Sequence, residues 1–167
     1  MNSLFLGKKI ILFHTFILIC CTSFANVDLL TQARNLQREG KYDKAINAFK
    51  NILQQKKEND LPKQELVMYT EALVQLMNTY QSIGEPEACV ITLQEIYKTT
   101  PILQKQCLRD YYSVMGYALS RTEKMKEAEE TTLKVFTMPL HHATPERYFR
   151  DYAYAAAVFY SNPHYQK

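Results

Sequence analysis

The sequence predicts an all-α chain built as a stack of antiparallel helix pairs. Three observations carry this. Short helical phrases recur along the chain at a near-fixed period. Glycine and proline are few, 4 and 6 in 167 residues, which disfavours a loop-rich all-β design. Alternation of apolar and polar residues, the mark of a half-buried strand, is hard to find anywhere.

The recurring phrase is clearest at Gly40-Lys41-Tyr42-Asp43-Lys44-Ala45-Ile46, followed by Phe49, Ile52 and Leu53. A second copy runs Gly84-Glu85-Pro86-Glu87-Ala88-Cys89-Val90, then Leu93, Ile96 and Tyr97. A third runs Glu123-Lys124-Met125-Lys126-Glu127-Ala128. Self-similarity at such a period means supersecondary units that cannot bury their apolar faces alone and must stack.

The elements follow in order. Residues 27–39 carry Leu29, Leu30, Ala33 and Leu36 at helical spacing, and Gly40 ends the run. A second helix runs from Tyr42 to about Lys56, with Ala45, Ile46, Phe49, Ile52 and Leu53 on one face. The polar stretch Lys56 to Asp60 breaks the pattern, and Pro62 suits the next helix start. Leu66 to Ser82 carries Tyr69, Leu73, Leu76, Met77 and Tyr80, and Gly84 stops it. Pro86 opens a helix to about Lys98, and Thr99-Thr100-Pro101 closes that unit. Leu108 to Arg121 carries Tyr112, Met115, Gly116 and Leu119. Lys126 to Thr137 carries Ala128, Leu133, Val135 and Phe136. After the turn at Pro139 to Thr144, the last helix runs from Glu146 to Tyr160 and ends at Ser161-Asn162-Pro163.

Met1 to Ala25 reads as a secretory signal peptide, which leaves Asn26 to Lys167 as one repeat domain. Lys8 and Lys9 supply positive charge, Ile10 to Cys21 is apolar except for His14 and Thr15, and Thr22-Ser23-Phe24-Ala25 places small residues for a cut after Ala25. The apolar run is short for a spanning helix, so an uncleaved anchor is the lesser alternative. A lipoprotein is a third, because Cys20 and Cys21 follow Leu18-Ile19, although a small residue normally precedes the lipidated cysteine. The expected location is outside the cytoplasm, in the periplasm or cell envelope.

Composition excludes some partners. Hydrophobic residues make up 47% of the chain and charged ones 22%, as in folded globular proteins. Removing Lys8 and Lys9 from the 20 basic residues leaves 18 against 17 acidic ones. No basic stripe remains to neutralise phosphates, so nucleic acid is not the expected partner. Membrane contact is expected only through the leader or a segment beyond this chain.

Candidate chemistry is sparse, and no catalytic residue, cofactor or metal is expected. Carboxylates are scattered or form surface runs such as Glu127, Glu129 and Glu130. Adjacent His141 and His142 point apart on most backbones and make a poor chelate, and His164 lies near the terminus. Neither a glycine-rich phosphate loop nor a nucleophile elbow is present. An exported compartment permits a disulfide between Cys89 and Cys107. The alternative is that Cys89, at the position of Ala45 and Ala128, is a small buried contact. An aromatic stripe among Tyr148, Tyr152, Tyr154, Tyr160 and Tyr165 reads first as core and second as a ligand cage.

The pattern resembles the tetratricopeptide repeat family. That family's helix–turn–helix unit has a large–x2–large–small–x2–large first helix, here Leu29, Gln32, Ala33, Leu36; then Leu73, Leu76, Met77, Tyr80; then Tyr112, Met115, Gly116, Leu119; and Tyr152, Ala155, Ala156, Phe159. The resemblance implies a tetratricopeptide-like α-solenoid of about three full repeats plus the first helix of a fourth, with Tyr152 and Phe159 in the core. Turn positions Gly40, Gly84, Glu123 and Pro163 are spaced more widely than the family's usual unit. Such stretched repeats are similar to those of exported sensor and regulator proteins.

The resemblance also implies a function. The family binds protein or peptide in the groove lined by its first helices, which by position gives Arg34, Gln37, Arg38, Asn78, Gln81, Tyr117, Arg121, Arg150 and Tyr160. Arg and Tyr are enriched at interface hot spots. The chaperone-binding carboxylate clamp does not fit, since Leu30 and Arg34 stand where Lys and Asn would be expected. The expected role is extracytoplasmic sensing or scaffolding within a longer, membrane-bound signalling protein of the histidine-kinase type. That expectation also draws on the last helix, which has no capping helix after it. A surface nutrient-uptake or carbohydrate-binding repeat protein is the alternative.

Overall fold

The computed structural model describes residues 28–55, 61–139 and 144–162. The leader with Cys20 and Cys21, the polar break, His141-His142, His164 and Tyr165 lie outside the described residues. Within them the chain is all-α. The helices are α1 (28–38), α2 (Tyr42–Gln54), α3 (Lys63–Ser82), α4 (Pro86–Thr99), α5 (Pro101–Lys105), α6 (Leu108–Ser120), α7 (Met125–Thr137) and α8 (Pro145–Ser161). No helix among the described residues is long and apolar enough to cross a membrane.

The two glycine turns form by one mechanism. Gly40 and Gly84 adopt φ of 72° and 75°, a left-handed conformation that costs a side-chain-bearing residue about 1–2 kcal/mol. That conformation folds the chain back onto the helix it has just left. Gly40 N–H donates to the Gln37 carbonyl and Lys41 N–H to the Leu36 carbonyl; Gly84 and Glu85 repeat this with Gln81 and Tyr80. These crossed bonds satisfy carbonyls that a helix end leaves orphaned. The third turn has no glycine and uses tighter bonds, Thr122 N–H to the Leu119 carbonyl with the Thr122 hydroxyl on the same oxygen at 2.7 Å.

The residue before each following helix converges on one conformation. Lys41, Glu85 and Lys124 have φ/ψ of −84°/60°, −115°/63° and −94°/49°. Each carbonyl accepts the first helical bond, from Ala45, Cys89 and Ala128 respectively. Those three small residues are buried at 0%, 1% and 0% exposure.

Packing alternates. Helix α3 meets α2 and α4, α6 meets α4 and α7, and α8 meets α6 and α7. The core runs through Phe49, Leu53, Tyr69, Leu73, Met77, Leu93, Ile96, Val114 and Leu119. Gly116 lets α6 and α7 approach so closely that a Cβ there would lie 3.2 Å from the Thr132 nitrogen and 3.3 Å from its Cα.

Several expected details differ. Pro101 opens α5 instead of closing a unit, and Ile102, Leu103 and Cys107 join the core. Proline at a first helical position gives up an N–H that would be unpaired anyway. Helix α3 starts at Lys63, one turn before Leu66. On α7 Leu133 and Phe136 are exposed at 53% and 40%, while Ala128, Thr131, Thr132 and Val135 are buried. On α8 Tyr152 is 59% exposed, Ala156 is exposed and Phe159 half-buried; the buried residues are Asp151, Ala155 and Val158. Cys89 and Cys107 are free, buried thiols.

Candidate functional site: a charged lane across the first helices

Helices α1, α3, α6 and α8 each present charged side chains along one lane. Its carboxylates are Glu71, Asp110 and Asp151, spaced almost evenly along the chain. One acid thus falls on each of α3, α6 and α8.

Each carboxylate is met by arginine. Arg34 of α1 reaches Glu71 of α3 at 2.6 Å, and Gln75 Nε2 donates to the same Glu71 oxygen at 2.8 Å. Burial opposes ionisation of Glu71, but the hydrogen bonds from Gln75 and Arg34 and the charges of Arg34 and Arg150 outweigh it, holding its pKa below the ordinary glutamate value. Between α6 and α8 the pairs cross. Arg109 Nε donates to Asp151 Oδ2 at 2.9 Å, and Arg150 Nη2 donates to Asp110 Oδ1 at 2.5 Å. Arg147 adds a contact to Asp110 Oδ1 at 3.5 Å and donates to Thr70 Oγ1 on α3 at 2.6 Å. The Asp110 and Asp151 side chains are 6% and 1% exposed, so these pairs are shielded from solvent.

The remaining donors of Arg109 go to backbone. Its Nη1 donates to the Val135 carbonyl at 2.5 Å and the Met138 carbonyl at 3.3 Å, satisfying the end of α7. Burial opposes the charge of Arg150, and Asp110 and Asp151 more than offset it, raising the guanidinium pKa. Arg150 Nε is nevertheless buried without a partner among the described residues.

The expected groove residues divide. Arg34 and Arg150 are tied up in the lane. Gln37 Nε2 donates to Thr79 Oγ1 on α3 at 3.0 Å, joining two units. Tyr117 stacks on Tyr154 at 4.5 Å between ring centroids. Asn78 is half-buried, and Gln81 Nε2 is buried without a partner among the described residues. Gln81 and Arg121 line one cleft of about 510 Å³ with Gly84, Pro86, Ser120 and Met125. Arg38 and Arg121 are exposed and make no ion pair among the described residues. Tyr160 is 78% exposed at the far end of α8. The groove residues therefore do not form one continuous patch of open side chains.

Sequence reasoning missed Glu71, Asp110, Asp151, Arg109 and Arg147. A signal was present: Leu108-Arg109-Asp110-Tyr111 recurs one repeat later as Phe149-Arg150-Asp151-Tyr152. The duplicated Arg-Asp pair sets the register of α8 and accounts for the crossed ion pairs. A second duplicated contact goes with it. Tyr97 of α4 stacks on Tyr111 at 4.4 Å, and Phe136 of α7, one repeat after Tyr97, meets Tyr152 at 5.3 Å.

Cys89 and Cys107 contribute no reactive thiolate. Burial pushes both thiols up to about 12, assisted at Cys107 by Asp110, whereas a reactive cysteine needs a lowered value. Among the described residues no group of three or more His, Cys, Asp or Glu is placed to hold a metal ion. No protein-family model matches the chain, and the curated proteins and solved structures give no significant match.

Proposed function

We propose that the chain is a tetratricopeptide-like α-solenoid that binds protein or peptide without catalysis, serving sensing or scaffolding outside the cytoplasm. Support for the stack comes from the repeated contacts. Three turns share one backbone conformation before the second helix, the ring pair at 97/111 recurs at 136/152, and an acid recurs at 71, 110 and 151. Successive units joined this way behave as a quasi-one-dimensional array, whose side-by-side helices make an extended binding surface.

The observation that carries the binding role is the pair Arg38 and Arg121. They occupy equivalent positions two units apart, both exposed, while the other arginines of the lane are held by carboxylates. Exposed guanidinium groups on a rigid scaffold suit an acidic peptide, because arginine pairs with carboxylate through two parallel hydrogen bonds. The test is recovery from a displayed peptide library by the parent chain and by Arg38→Glu/Arg121→Glu. Enrichment of acidic peptides by the parent, reduced at least tenfold in the variant, is expected. Equal recovery by both would remove the arginines from the role.

A carbohydrate-binding role is the second reading, favoured by the exposed rings of Phe149 and Tyr152 on α8. Glycan-array binding that disappears in Tyr152→Ala would shift the assignment to it.

A further inference from the structure

Helix α8 is inverted relative to an ordinary surface helix. Three of its four charged residues, Arg147, Arg150 and Asp151, turn inward to α3 and α6, with side chains 15%, 16% and 1% exposed, and Glu146 in the first turn is exposed. Its outer stripe is Phe149, Tyr152, Ala153, Ala156 and Tyr160, all exposed, with Phe149 and Tyr160 at 78%. These five positions fall within one helical face. A soluble helix ordinarily reverses this arrangement, so the stripe marks an interaction surface.

The internal register shows what kind of object such a face receives. At the offset set by the duplicated Arg-Asp pair, Ala153, Ala156 and Tyr160 correspond to Tyr112, Met115 and Leu119 of α6. That is the side of α6 which α7 covers: Gly116 lies against Thr132, and Lys134 sits 5.2 Å above the Tyr112 ring. The exposed side of α8 is thus the counterpart of a surface that binds an antiparallel helix carrying a small residue at the crossing.

We infer that two copies of this chain associate through α8, packed antiparallel about a two-fold axis. The stripe is self-complementary in that arrangement. Centred between Tyr154 and Ala155, Ala153 meets Ala156 of the second copy and Phe149 meets Tyr160 of the second copy. Small residues at the centre allow close approach, and rings close the two ends. The stripe carries no charge, so it matches another uncharged face and gives an acidic or basic partner nothing to pair with. At about 150–250 Å² per aromatic ring, the three exposed rings and the alanines of two copies remove roughly 1,000 Å² from water, the low end for a specific interface. An interface of that size suits a reversible association.

The test is sedimentation equilibrium on the purified chain against Phe149→Glu and Ala156→Glu. Both residues are exposed, so the variants keep the fold, checked by circular dichroism. The expected result is a reversible dimer in the parent and at least a tenfold weaker one in each variant. A parent chain that stays monomeric at several hundred micromolar overturns the inference. If that monomer floats with phosphatidylcholine vesicles, the face belongs to a lipid surface instead. A dimer that persists unchanged in both variants also overturns it, because the copies then meet elsewhere.

Discussion

Arg109 of α6 holds Asp151 of α8 at 2.9 Å, with the carboxylate 1% exposed. Arg150 reaches the same Asp151 at 3.4 Å through its other oxygen. Removing the acid leaves the Arg109 guanidinium without a carboxylate, held by the Val135 and Met138 carbonyls alone, and leaves Arg150 with Asp110 as its remaining carboxylate. Breaking such a pair on one side costs about 3–5 kcal/mol, far more than the net worth of the intact pair. Asp151→Ala is expected to lower the urea midpoint accordingly. A double change of Arg109 and Asp151 to apolar residues of similar volume, which leaves Arg150 on Asp110, should recover most of the loss. A double variant less stable than Asp151→Ala would show that the ions contribute more than their own desolvation costs.

This network explains why one helix was harder to read than the others. In α3 and α6 the buried side is mostly apolar, so large residues at helical spacing identify it directly. In α8 the buried side is Asp151, Arg150 and Arg147 beside Ala155 and Val158, and Phe149, Tyr152 and Tyr160 face out. A rule that places large residues inside puts Tyr152 in the core, where the structure has it 59% exposed. The turns were legible because glycine with positive φ and a small residue after the turn are local requirements. The ion pairs between helices were not, because each joins residues far apart in the chain, and only the duplicated Arg-Asp pair hinted at them.

The approach of α6 and α7 depends on the missing side chain at Gly116. A Cβ there meets the Thr132 hydroxyl first and the Thr132 backbone next, at 3.2 Å and 3.3 Å. Gly116→Ala gains helix propensity but forces α7 to shift, and overpacking of this kind costs about 1–3 kcal/mol. Thr132→Ala removes the nearest obstacle and leaves the backbone one. The double variant is therefore expected to recover part of the loss in a chemical-denaturation cycle. Full additivity of the two single changes would mean that the helices do not meet there.

Glu71 makes the α1–α3 junction sensitive to acid. Its pKa in the folded chain is lowered, so its contribution is present above the unfolded-state value and is lost as pH falls through the folded one. Stability is expected to drop between neutral pH and the acid range. In Glu71→Gln the drop should be smaller, with the parent and variant converging at the acid end. Thermal melts at a series of pH values check this. Parallel curves for the two proteins would show that another group controls the acid response.

Gln37 and Gln81 stand at the same position in successive units with opposite outcomes. Gln37 Nε2 has the Thr79 hydroxyl at 3.0 Å, whereas Gln81 Nε2 is buried with no partner among the described residues. The counterpart of Thr79 on the next first helix is Ala118, so the unit that follows Gln81 offers no hydroxyl at the matching place. Truncating a paired group loses a hydrogen bond worth about 0.5–1.5 kcal/mol, while replacing a buried unsatisfied amide relieves a penalty of about 1–3 kcal/mol. Gln37→Leu is thus expected to destabilise the chain, and Gln81→Leu to leave its stability unchanged or raise it. Urea denaturation of the two variants side by side separates them, and a larger loss in Gln81→Leu than in Gln37→Leu would refute the assignment of Ala118 as the missing partner.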